Sequence, residues 1–159
     1  MGRITDNRNE SLEIISRLNV TADSQEALFD LLSDQLLKED YVYPTYREAI
    51  KNRESEFPTG LITTSVGVAI PHTDPVHVKK NAIVIVTLAN PIRFHEMGGG
   101  EGDFVNVECV FAILLNNSDK QMKLLMDFMN IFRNREDMYC LRNVQSTEEA
   151  ARILRRYIS

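Results

Sequence analysis

Apolar positions recur along this chain with two spacings, and the alternation between them sets the expected elements. Leu12 to Leu18, with Ile14 and Ile15 inside it, fits a strand or a short helix, and the strand is the preferred reading. Leu28, Leu31, Leu32 and Leu36 then repeat at helical spacing. Asp23, with Glu26 three residues on, has the form of a capping box and predicts the start of that helix; the pair Glu39-Asp40 ends it. After the connector Tyr41-Val42-Tyr43-Pro44, Thr45 and Glu48 repeat the capping pattern. Tyr46, Ala49, Ile50 and Arg53 follow on one helical face. Phe57 to Leu61, with Pro58 and Gly60, predicts a turn. Ile62 to Ile70 is a β-rich run, and its last part, Val66 to Ile70, reads as a buried strand. Gly67 within it points to a bulge or a close backbone approach.

Pro71 stops that strand, because proline has no N–H for a ladder. Thr73 to His77 reads as a loop. Ala82 to Leu88 is the clearest strand, bounded by Asn90-Pro91, with Ile92 and Phe94 as a further short one. Gly98, Gly99, Gly100 and Gly102 make a hairpin connection, so at least one strand pair is antiparallel. Val105 to Leu115 alternates at first and is then continuously apolar, which predicts a strand buried on both faces in its second half. A helix is expected over Lys120 to Arg133, apolar through Met122, Leu125, Met126, Met129 and Phe132 or through Leu124, Phe128 and Ile131. Its methionines are expected to fill core gaps rather than to line a partner groove. Asp137 to Leu141 is a short helical piece. Ser146 with Glu149 forms a third capping box, opening a helix with Ala150, Ile153, Leu154, Tyr157 and Ile158 inward and Arg152, Arg155 and Arg156 outward. Interleaved helices and strands indicate an α/β (α+β) fold, a mixed β-sheet flanked by helices. Residues 1–10 read as a loose segment and residues 11–159 as a single domain.

Composition narrows the function classes. The chain has 159 residues, 43% of them hydrophobic and 26% charged, as in ordinary globular proteins. A net charge of −5 argues against a nucleic-acid partner. No apolar run is long enough to insert directly into a membrane, and the N-terminus shows no apolar signal core. Cys109 and Cys140 therefore read as free, buried thiols in the cytoplasm.

Candidate chemistry centres on His72, at the exit of a buried strand. A histidine there either caps the strand end or is a pre-positioned nucleophile or base. The other histidines are His77 and His95. His72 and His77, with Asp74 between them, lack the spacing of a zinc helix, so no metal is expected. Ser65 and Cys109 lack a nucleophile elbow, and the glycine-rich stretch is not a P-loop. One further use of a nucleophilic imidazole is to carry a phosphoryl group, which requires a cation or oriented donors nearby. Arg53 and Thr73 would serve, and no cofactor is required. Arg53 also admits a plainer reading, a favourable charge at a helix C-terminus with its stem snorkelling.

Arg53-Glu54, Pro58-Thr59-Gly60-Leu61 and Gly67-Val68-Ala69-Ile70-Pro71-His72-Thr73 together resemble the enzyme IIA domain of the bacterial sugar phosphotransferase system, fructose/mannitol class. The resemblance extends over about Leu12 to Ile158. It implies that His72 is phosphorylated by the phosphocarrier HPr. The group then passes to a cysteine on enzyme IIB, which serves the membrane subunit IIC as sugar is imported. It also implies that Arg53 steadies the phosphoryl group. Many members carry a second histidine where the late helix begins; the matching residue here is Gln121, which can hydrogen-bond phosphoryl oxygens without becoming a cation. Gln121-Met122-Lys123-Leu124-Leu125 and Pro71-His72-Thr73-Asp74 with His77 are similar to galactitol-type members, where His77 flanks the site or is a surface residue. The alternative within the same resemblance is a regulatory phosphohistidine module acting through a protein partner.

Overall fold

The computed structural model describes residues 3–6 and 12–158, with side chains from Leu12 onward. Six strands form one mixed sheet: β1 (Arg3–Asp6), β2 (Leu12–Val20), β3 (Gly60–Ile62), β4 (Gly67–Ala69), β5 (Ala82–His95) and β6 (Phe104–Leu114). Their spatial order is β1-β2-β5-β6-β4-β3. The pairs β2/β5 and β4/β6 are parallel and the others antiparallel, so the expected mixed sheet is what forms. Five α-helices cover it: α1 (Gln25–Lys38), α2 (Tyr46–Glu56), α3 (Ser118–Phe132), α4 (Arg135–Arg142) and α5 (Thr147–Leu154).

Alternation along the strands sorts the core into two clusters, one on each face, since successive strand side chains point to opposite sides. Ile14, Ile83, Ile85, Phe111 and Ile113 pack with Leu124, Phe128 and Phe132 of α3 and with α4 and α5. Ile15, Val84, Val86, Val110 and Ala112 pack with Leu28, Phe29 and Leu32 of α1 and with Tyr46 and Ile50 of α2. On the first face Phe111 lies 5.1 Å from Phe128 and 5.7 Å from Phe132, ring centre to ring centre.

Several local expectations change. Ser24, not Asp23, caps α1, its side chain accepting the Ala27 N–H. Thr45 makes no cap bond for α2; its hydroxyl is 2.8 Å from Nδ1 of His77 instead. The run Ile62 to Ile70 is not one strand. β3 and β4 form a hairpin whose bend is tied by the Thr63 hydroxyl, which donates to the Val66 carbonyl and accepts its N–H. β5 does not end at Asn90-Pro91. Its pairing with β6 loses register between Thr87 and Ile92 and resumes, and Pro91 sits in that bulge, where its missing N–H breaks no ladder bond. Arg3–Asp6, inside the stretch expected to be loose, pairs with β2; the rest of residues 1–10 lies outside the described residues. On α3 the inward stripe is Leu124, Phe128 and Ile131, while Met122 and Met126 are 64% and 63% exposed. Those two methionines therefore do not fill the core. Of the three late arginines, Arg156 reaches back to buried Asp137 at 2.9 Å.

Gly67 is a close approach rather than a bulge. A Cβ there would lie 2.0 Å from the Asn106 carbonyl oxygen, so only glycine lets β4 lie against β6. That contact helps to place His72. β4 runs parallel to β6, and beyond it the Pro71 carbonyl accepts the Ile113 N–H at 3.1 Å. His72 is thereby bridged to the sheet although proline has ended the strand.

Candidate functional site

His72 is buried at the strand exit, with 8% of its surface exposed. Its Nδ1 lies 2.8 Å from the Ile70 carbonyl oxygen. A carbonyl only accepts, so Nδ1 carries the proton and Nε2 keeps its lone pair. Burial holds the imidazole below its ordinary pKa; the Ile70 carbonyl and Asp74 push it back up, and the nearby Arg53 guanidinium pushes it down. At neutral pH the ring is uncharged and nucleophilic at one defined atom.

Arg53 comes to the same place from the last turn of α2. Its guanidinium sits 4.9 Å from the centre of the Phe57 ring, and its Nη1 is 3.4 Å from a carboxylate oxygen of exposed Asp74. Its Nε is buried without a hydrogen-bond partner. With Ala49, Asn52, Phe57, Thr73 and His77 it lines a cleft of about 310 Å³.

Thr73 is buried, and its hydroxyl donates to the Asp74 carbonyl at 3.0 Å. Gln121, in the first turn of α3, donates from Nε2 to the Thr73 carbonyl at 2.9 Å. His77 lines the cleft with its Nδ1 engaged by Thr45. Thus His72, Arg53, Thr73, Gln121 and His77 converge from a strand exit, two helices and a short 3-10 turn at Pro75–His77. His95 does not; it stacks on Phe104 at 4.5 Å near the β5–β6 turn. Among the described residues no group of three or more His, Cys, Asp or Glu is placed to hold a metal.

Two residues to which the sequence alone gives no role underlie the site. Glu54, 3% exposed, accepts the Thr59 N–H at 2.7 Å and the Thr59 hydroxyl at 2.6 Å. Thr59 Oγ1 in turn accepts the Ile70 N–H at 3.2 Å. Burial pushes the Glu54 carboxyl up to about 7, against the pull of the Thr59 donors and Arg53. Their only sequence signal is membership in the motif segments Arg53-Glu54 and Pro58-Thr59.

The model of the family described as phosphoenolpyruvate-dependent sugar phosphotransferase system, EIIA 2, matches residues 11–157. The chain belongs to that family. It is 32% identical over 94 residues to the galactitol-specific EIIA component of Escherichia coli strain K12; the match covers 59% of this chain and 61% of that protein's length. Its fold is similar to that of the crystal structure of IIA mannitol from Escherichia coli, with a TM-score of 0.68 at 25% identity over 89% of this chain and 94% of the other. The same TM-score and identity, over 90% and 94%, relate it to the enzyme IIA of a complex with phosphorylated enzyme IIB of the mannitol system of Escherichia coli. No helix among the described residues is long and apolar enough to cross a membrane.

Proposed function

We propose that this EIIA domain carries a phosphoryl group on Nε2 of His72, taking it from phospho-HPr and giving it to a cysteine of an enzyme IIB, in the cytoplasm. The observation that carries the reading is the neutral imidazole with Nδ1 tied to the Ile70 carbonyl, beside a cleft holding the Arg53 guanidinium. In the loading step the Nε2 lone pair attacks phosphorus, an N–P bond forms, and the bond to the donor imidazole of HPr breaks. The ring of His72 then carries positive charge, which the Ile70 carbonyl stabilises through the retained Nδ1–H. In unloading, the cysteine thiolate attacks phosphorus, the N–P bond breaks and the ring returns neutral. Arg53 steadies the phosphoryl oxygens in both steps, with Gln121, Thr73 and His77 at the rim.

Protein partners suit the surroundings of the site better than a small substrate. Phe57, Val76 and Met122 are 59%, 73% and 64% exposed, close along the chain to Arg53, His72 and Gln121. Exposed apolar side chains gathered at a site mark a docking surface. The mannitol relative is itself known in complex with phosphorylated IIB. Identity with a galactitol-specific component favours a transport role, through IIB and membrane-bound IIC and with a polyol as cargo, over a regulatory module.

The test is transfer from phosphoenolpyruvate through enzyme I and HPr. Wild type acquires one acid-labile, base-stable label, and His72→Ala acquires none. Equal labelling of both proteins overturns the assignment.

A further inference from the structure

Arg53 and Glu54 are neighbours on α2 that face different surroundings, as residues about 100° apart on a helix do. The Arg53 side chain is 36% exposed in the cleft; Glu54 is 3% exposed beneath it. A buried carboxylate needs donors, and Thr59 supplies two. The Thr59 hydroxyl gives its proton to Glu54 and so has a lone pair for the Ile70 N–H. The β3–β4 ladder begins at Gly60 opposite Ala69, so the amide of Ile70 lies past its last backbone partner, and the hydroxyl of Thr59 takes that place. The carbonyl of the same Ile70 receives Nδ1–H of His72.

Hydrogen bonds thus run from the helix that bears Arg53 to the imidazole: Glu54 to Thr59, Thr59 to Ile70, Ile70 to His72. The start of α2 is also tied to the loop after His72, the Thr45 hydroxyl lying 2.8 Å from Nδ1 of His77; Arg53 itself reaches that loop through Asp74, a contact long at 3.4 Å and with Asp74 74% exposed. Exposed pairs of that kind hold geometry weakly.

We propose that Glu54 and Thr59 are positioning residues that set the separation of Arg53 from His72 and keep the proton of the imidazole on Nδ1. The proposal rests on His72 as the phosphoryl acceptor. Burial pushing Glu54 up to about 7 agrees with it: near neutral pH about half of the Glu54 groups carry charge where desolvation opposes it, which suits placement better than stability. Neither side chain touches the transferred group; both act through Ile70 and α2.

The experiment compares Thr59→Val, which keeps the shape and removes the hydroxyl, with Thr59→Ser, which keeps the hydroxyl, and with Glu54→Gln. Two quantities are read at a temperature where circular dichroism shows each variant folded. One is the initial rate of His72 labelling from phospho-HPr; the other is the nitrogen-15 signal of the His72 ring. Misplacing reacting groups by about 1 Å costs on the order of 100-fold. Thr59→Val is therefore expected to slow labelling by about 10- to 100-fold and to lose the Nδ1-protonated ring signal. Thr59→Ser restores both, the rate to within about threefold, and Glu54→Gln falls between. Labelling of Thr59→Val at the wild-type rate, or an unaltered ring signal in it, overturns the proposal. If Thr59→Val does not fold, Glu54→Gln carries the same comparison; if neither folds, the cluster serves stability and the proposal falls. Absence of label on wild type is a separate failure, striking the acceptor role of His72 itself.

Discussion

The aromatic layer over β6 and the corner beneath His72 are both buried, yet they are held by different forces. Phe111, Phe128 and Phe132 meet through dispersion and apolar burial, with no direction to satisfy beyond ring packing. Glu54, Thr59, Ile70 and His72 meet through hydrogen bonds whose every member has a fixed donor or acceptor role. The first arrangement contributes stability and tolerates small shifts. The second contributes less stability, because each bond replaces one to water, but it fixes an imidazole nitrogen relative to a guanidinium. His72 sits where the core changes from the first kind of packing to the second.

The largest effect that would break this contrast concerns the aromatic layer. Phe111→Ala is expected to cost about 3–5 kcal/mol in chemical denaturation, as for other buried aromatic truncations. The labelling rate per folded molecule should stay close to wild type. A rate that falls far more than the folded fraction would show that the layer also sets the site.

Glu54 sharpens the contrast through pH. Its carboxyl is raised from 4.5 to about 7 in the fold, so the stability it contributes is fully present below about 4.5 and lost as pH rises through about 7. The difference between these values corresponds to at most ~3 kcal/mol at 1.36 kcal/mol per pH unit. The stability advantage of wild type over Glu54→Gln should therefore shrink between pH 5 and pH 8, measured by urea unfolding at each pH. His72 acts with the opposite sign: its pKa is depressed, so its contribution is present above its ordinary pKa and lost as pH falls through the folded value. Because His72 is common to both proteins, the difference isolates Glu54. A flat difference would mean that Glu54 ionises as it does in an unfolded chain.

Arg53→Ala should show the smallest stability change with a clear kinetic one. The side chain is part-exposed and its contact with Asp74 is loose, so unfolding should shift by less than ~1 kcal/mol. Transfer from phospho-HPr should slow by about 100-fold, typical of removing one preorganised charge partner. Collapse of the fold instead would return Arg53 to a structural role.

Much of the molecule is legible from residue order alone. The alternation in Val105 to Leu115 becomes β6, and of the stripe Leu28, Leu31, Leu32 and Leu36 all but Leu31, which is exposed, form the buried face of α1, because period decides which side chains share a face. Motif and resemblance single out His72, Arg53, Thr73, Gln121 and His77; Arg53, Thr73 and His77 line one cleft, His72 precedes Thr73 in the chain and Gln121 donates to the Thr73 carbonyl. The misreadings fall where local signals compete. Asp23 and Ser24 both cap well, and only backbone geometry selects Ser24. Pro91 has the look of a strand end, but the bulge opposite β6 absorbs it. The α3 methionines read as core because a helix apolar over a wide arc does not reveal which arc is covered.

By itself, then, the order of residues determined the mixed α/β sheet, the histidine at the exit of a buried strand, and family membership, since periodicity and a short motif are local properties. Only the tertiary structure decided that Nδ1 of His72 is tied and Nε2 left free, that Gln121 reaches Thr73, and that Glu54 meets Thr59 beneath Ile70. Those facts depend on which segments come together in space. The parallel alignment of β4 with β6, possible only because Gly67 carries no Cβ, is one of the contacts that brings them together.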